Sequence, residues 1–191
     1  MAKSNKQAGF RLPPAVLRRT AAYLVPFYRK IAADRTFACR WSAAVRGLDP
    51  DRMQRLLKSV VPRARLDGLS TNGIGYFIDF AFPAPVLQYS CGTSIPPGKA
   101  RFAFPAPAHR KIAAAVLPFY RALSCSPGYA AAIAKSVREG RREALSRLVR
   151  LYVRSAALRS ADVDAAGIRL VFRFTTGKYE YDHLLYRDIP D

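Results

Sequence analysis

The chain has 191 residues, half of them hydrophobic and 12% aromatic, which excludes global disorder and supplies material for a substantial core. Thirty-two Lys and Arg stand against 13 Asp and Glu, a formal charge of +19, and a surplus of that size draws polyanions such as nucleic acid, anionic lipid or an acidic polymer. Cys39, Cys91 and Cys125 form no disulfide framework or metal-ligand spacing, and no stretch has secretory or membrane-spanning character, so a cytoplasmic protein is expected, with membrane association unlikely.

Residues 1–9 read as a short, flexible basic tail. From there the chain says the same thing twice. The stretch from Phe10 to Leu66 returns without a gap 92 positions later, from Phe102 to Leu158. Its clearest echo is Pro26-Phe27-Tyr28-Arg29 against Pro118-Phe119-Tyr120-Arg121, followed by Arg55-Leu56-Leu57-Lys58 against Arg147-Leu148-Val149-Arg150. Self-similarity governs architecture. A lone unit of about 90 residues has little core for its surface. The reading is therefore two repeat units, 10–98 and 99–191, fused into one compact domain about a pseudo-twofold axis.

Each unit opens with a proline-containing lead-in and a first helix, about Ala15 to Ala33 and Ala108 to Leu123. Pro26 and Pro118 fall inside these helices and predict a kink or break, since proline removes a backbone donor. A shorter second helix follows over Thr36 to Arg46 and Gly128 to Arg138. The third helix has Asp49 or Asp51 as cap and Pro50 in its first turn. Met53, Leu56, Leu57 and Val60 repeat at i, i+3, i+4, i+7, and Leu145, Leu148, Val149 and Tyr152 occupy the same four places in the second unit. Opposite this stripe lie Arg55 and Lys58 in one unit and Arg147, Arg150 and Arg154 in the other.

A β-hairpin closes each unit. Strands start at Gly73-Ile74 and Gly167-Ile168, with two residues gained in the second copy, and Ile168, Leu170, Phe172 and Phe174 alternate with Arg169 and Arg173. The first hairpin returns over about Val86 to Ser90 before a loop from Gly92 to Gly98. Between Leu66 and Gly98 there is no Lys or Arg. That segment is either buried or made for an apolar partner, with Phe77, Phe80 and Tyr89 as its interface residues.

Four constellations invite a chemical reading. Tyr28 and Tyr120 beside Arg29 and Arg121 suit base stacking and phosphate contact, although packing of the helix against the sheet explains the same residues. The order helix, helix, helix, hairpin is also that of a winged helix, but the first helix is long for that fold. His109 and His183 lack ligand-spaced neighbours, and Gly73-Ile74-Gly75 opens a strand, where glycine relieves crowding. No catalytic motif, metal site or cofactor fingerprint is present in the sequence.

The expectation is an α+β protein with two helix-helix-helix-hairpin units, the hairpins joined in one antiparallel sheet under the helices. Its expected role is non-catalytic binding of nucleic acid, DNA or RNA, through Arg55, Lys58, Arg147, Arg150 and Arg154, with Arg29 and Arg121 in support. The alternatives are self-association or docking on an acidic partner through the 66–98 hairpin and, more weakly, a membrane-active protein. An Arg- and Ala-rich composition also suits a bacterial source.

Overall fold

The computed structural model describes residues 12–164 and 167–187. The tail read at 1–9 lies outside the described residues. The fold is α+β, with three helices and three strands followed by three helices and three strands. They are α1 Pro14–Ala33, α2 Arg35–Arg46, α3 Pro50–Val60, β1 Leu66–Thr71, β2 Gly75–Ala81, β3 Gln88–Ser94, α4 Ala106–Cys125, α5 Pro127–Arg138, α6 Arg142–Arg150, β4 Leu158–Asp164, β5 Gly167–Arg173 and β6 Glu180–Tyr186. Every element of the second half starts 92 positions after its counterpart in the first: Pro14 and Ala106, Gly75 and Gly167, Gln88 and Glu180.

The helices begin where local chemistry predicts. Prolines occupy the first turns of α1 and α4, where their missing N–H costs nothing. The Asp34 side chain accepts from the Phe37 amide (2.9 Å) at the start of α2, Asp49 accepts from Arg52 (2.8 Å) at α3, and Ser126 accepts from Tyr129 (3.2 Å) at α5. The expected break at the internal prolines does not occur. Both helices run on through Pro26 and Pro118, held by the surfaces they bury. Phe27 and Phe119 are fully buried, a burial that contributes about 2–3 kcal/mol each.

One antiparallel sheet in the order β1-β2-β3-β6-β5-β4 joins the two halves through the β3–β6 pair, where Gly92 faces Leu184. Burial alternates along β2 and β6, so one face of the sheet lies under the helices and the other is open. Tyr23 of α1 stacks on Phe80 of β2 (5.4 Å), and Trp41 of α2 meets Phe27 and Tyr76 edge-on at 4.7 and 5.1 Å. A single cluster of buried apolar side chains draws on both halves.

Four sequence expectations need correction. Each half closes with three strands, not a hairpin. The added strands, β1 and β4, are the sheet's outer edges, and each carries a register shift just after its first residue, between Leu66 and Gly68 and between Leu158 and Ser160. Gly167 is the counterpart of Gly75 rather than Gly73, so no residues are gained there, and a Cβ on either glycine would collide with the neighbouring strand. Gly92 sits inside β3, not in a loop. The helix α6 stops at Arg150, which leaves Tyr152 exposed in the following turn and places Arg154 beyond the helix.

Candidate functional site

Charge in this fold is sorted by layer. Arg and Lys occur on all six helices, whereas Asp51 and Glu143 are the only carboxylates within helix bounds among the described residues. The strands reverse the balance, with Asp67, Asp79, Asp162, Asp164, Glu180 and Asp182 against Arg159, Arg169 and Arg173. Two of the strand acids have side-chain partners. Arg169 grips Asp182 with two hydrogen bonds of 3.0 Å, and Ser90 donates to Asp79 (2.6 Å). On the helical side most cations have no carboxylate within 4.0 Å among the described residues. Lys30 pairs with Asp34 at 2.8 Å, and Arg141 and Arg138 approach Glu139 at 2.8 and 3.8 Å.

Four cations, Lys111, Arg154, Arg159 and Arg173, line a cleft of about 870 Å³. One wall is a face of α4, formed by Lys111, Ala114, Ala115 and Pro118. The turn after α6, from Leu151 to Ala157, forms the second wall, and Arg159 of β4 with Arg173, Phe174 and Thr175 at the end of β5 closes the third side. The turn is fixed from within. The Tyr129 hydroxyl donates to the Leu148 carbonyl (2.9 Å), Tyr152 packs edge-on against Tyr129 (5.0 Å), and Arg154 Nε donates to the Leu151 carbonyl (3.2 Å). Pro118 has no N–H for the Ala114 carbonyl on the cleft wall. Lys111 Nζ lies 5.6 Å above the Phe174 ring, a cation–π contact. No carboxylate lines the cleft. Its floor is apolar and its rim positive.

A second depression of about 420 Å³ lies between α2 and α3, where Arg40, Arg52 and Arg55 gather beside the Lys30–Asp34 pair. Asp34 is held below the ordinary carboxylate range by the hydrogen bond from Lys30 and by the Phe37 amide.

The sequence-selected residues distribute unevenly over these features. Arg154 is on the large cleft and Arg55 on the small one. Arg29, Lys58, Arg121, Arg147 and Arg150 are all exposed, but they line neither cleft. Arg150 donates to the carbonyls of Leu158 and Arg159 (3.4 and 3.2 Å), tying α6 to β4. Lys111, Tyr152, Arg159, Arg173 and Phe174 escaped sequence reasoning because the cleft joins segments distant in the chain. Phe80 and Tyr89, read as interface residues, are in the core at 1% and 0% exposure, and only Phe77 is partly exposed, on the open face, edge-on to Tyr186.

Tyr28 and Tyr120 are likewise in the core and do not present rings to a ligand. They belong to a closed ring of six hydrogen-bonded side chains. Tyr28 bonds Tyr76 (3.2 Å) and Cys91 (3.2 Å), Cys91 bonds Tyr120 (3.4 Å), and Tyr120 bonds His183 Nε2 (2.6 Å). Thr93 completes the circuit between His183 Nδ1 (2.8 Å) and Tyr76 (3.4 Å), and His109 Nε2 attaches to Tyr76 at 2.9 Å. Burial keeps every member neutral: both imidazoles are pushed down to about 3, the Cys91 thiol up to about 11, and the phenols upward. Among the described residues no group of three or more His, Cys, Asp or Glu is placed to hold a metal ion, and no helix is long and apolar enough to cross a membrane.

No family model, curated protein or solved structure matches this chain.

Proposed function

We propose that the protein is a non-catalytic binder of nucleic acid, built from two fused copies of one unit about a pseudo-twofold axis. The observation that carries the binding role is the surplus of cations over the helical layer, where Arg and Lys occur on all six helices and Asp51 and Glu143 are the only carboxylates within helix bounds among the described residues. A broad face with a net positive surplus attracts a phosphate backbone from a distance and holds it without sequence preference. The constant displacement of 92 positions between counterpart elements supports the duplication. Fusion explains the single sheet, because β3 and β6 pair along the seam.

Retention of DNA and RNA fragments on the immobilised protein, followed across salt concentration, tests the reading. The slope of log affinity against log salt should be about −0.7 to −0.9 per phosphate contact. Replacement of Arg55, Arg147 and Arg154 by Glu should weaken binding at least tenfold. Retention no greater than that of an unrelated protein of equal charge overturns the proposal.

A second reading rests on β1, an outer strand without Lys or Arg, whose edge beyond Asp67 and the register shift after Leu66 carries no charge against pairing with another chain. Light scattering over a concentration series separates it from the first reading. Assembly that is lost in Ser70→Lys supports self-association, and a monomer throughout removes it.

A further inference from the structure

We propose that the cleft between α4 and the turn after α6 takes a single-stranded segment of nucleic acid, an unpaired base entering the cleft and its flanking phosphates meeting Lys111, Arg154 and Arg159. The inference rests on the nucleic-acid reading and narrows it to a strand type and a site. The walls contribute two different kinds of contact. Alanines and Pro118 give a smooth apolar floor, and Tyr152 and Phe174 give aromatic surfaces at its edge. A duplex hides its base faces in the stack and leaves such a floor unused, whereas an unpaired base has a free face that packs on an aromatic ring beside arginine. The volume of about 870 Å³ lies within the range of sites that enclose a ligand of nucleotide size.

The counterpart positions in the first half supply an independent argument. Ninety-two residues earlier, Lys111, Tyr152, Arg154, Arg159, Arg173 and Phe174 correspond to Arg19, Val60, Pro62, Asp67, Ala81 and Phe82. One cation and the phenylalanine survive, a carboxylate appears and the tyrosine is gone. The fold alone therefore does not require a basic aromatic cleft, since the other half builds the same elements without one. Tyr152, in the turn after α6, is also left 39% exposed beside its edge-on contact with Tyr129. Exposure at that level leaves part of the side chain open to a ligand in the cleft it lines.

Fluorescence anisotropy with labelled oligothymidylate, oligouridylate and a mixed-sequence duplex, each about 12 units long, tests the inference at about 100 mM salt. Tyr152→Ala should weaken single-strand binding about 5- to 100-fold, leave duplex binding within about twofold, and be rescued by Tyr152→Phe. Arg154→Glu with Arg159→Glu should weaken single-strand binding more than Arg63→Glu with Arg65→Glu, an equal charge change on exposed residues outside the cleft. Emission from the single tryptophan, Trp41, which is buried and does not line the cleft, reports whether each variant is folded. Equal loss on single strand and duplex, or no loss in Tyr152→Ala, overturns the cleft assignment while the broader reading stands. Absence of binding to every nucleic acid overturns both. Binding only to vesicles of anionic phospholipid, sensitive to Tyr152→Ala, assigns the cleft to lipid and also overturns the inference.

Discussion

The rings of Tyr28 and Tyr120 stack with their centroids 5.1 Å apart and their planes 18° from parallel, so the two most alike segments of the chain meet face to face at the centre of the molecule. Around this pair the polar ring closes, with Cys91 on one side and His183 on the other, both bonded to Tyr120. Positions 91 and 183 are themselves 92 apart. Buried polar groups cost little when every partner is present and much when one is removed, which makes the ring a sensitive place to perturb.

Tyr120→Phe strips His183 Nε2 of its 2.6 Å partner in a fully buried site and should destabilise the fold by about 1–3 kcal/mol. Tyr28→Phe should cost about 1 kcal/mol or less, because Tyr76 keeps Thr93 and His109, and Cys91 keeps Tyr120. Urea unfolding gives both values. The reverse order would contradict the assigned connectivity.

Acid should destabilise the protein before its carboxylates titrate. His109 and His183 are held neutral down to about 3 by burial, whereas in the unfolded chain each protonates near its ordinary value of about 6.5. The unfolded state therefore binds more protons between these limits, and stability present above pH ~6.5 falls as pH drops, by up to about 1.4 kcal/mol per pH unit for each histidine. Unfolding midpoints at pH 7, 6, 5 and about 4 should show this slope. His109→Leu, which installs the residue found at the counterpart position 17, should halve it. An unchanged slope would show that His109 is protonated in the folded protein.

The Thr20 hydroxyl is buried in α1 and has no hydrogen-bond partner. Thr20→Val keeps the shape and removes the unpaired group, so it should stabilise the protein by about 1 kcal/mol. A loss of stability in thermal unfolding would reveal a partner at that hydroxyl.

Leu87 has a left-handed backbone, φ 62°, and a side chain 61% exposed, so it carries conformational strain without compensating burial. Leu87→Gly preserves the Phe82 amide bond to the residue 87 carbonyl (2.7 Å) and should gain about 0.5–1 kcal/mol, the relief of strain exceeding the entropy cost of glycine. Destabilisation would mean that the leucine packs in solution against another surface.

Much of the helical layer was legible because its signals are local. The cap at Asp49 forms through a hydrogen bond from the Arg52 amide, and the apolar spacing of Met53, Leu56 and Leu57 survives as buried positions. Tyr152 misled because periodicity continues past the point where the helix ends, and Leu151 at that C-cap, itself still helical in backbone, gives no stop signal. The edge strands β1 and β4 were hidden by the bulges after Leu66 and Leu158, which break the alternation that marks a strand. The polar ring and the cleft were beyond sequence reading for a different reason. Cys91, Tyr120 and His183, like Lys111, Tyr152 and Phe174, become neighbours only when α4 is laid against the strands.

Under the proposed duplication of one unit, placing both sides of the central tyrosine pair in one polypeptide has an evolutionary consequence. Two identical chains related by a true twofold must carry the same residue at equivalent places, so a thiol on one side would compel a thiol on the other. Covalent linkage lifts that constraint: position 91 can be cysteine while position 183 is histidine, and one half can keep Val60, Pro62 and Asp67 where the other carries Tyr152, Arg154 and Arg159. Each half is free to change by single substitutions while its twin preserves the packing that holds both.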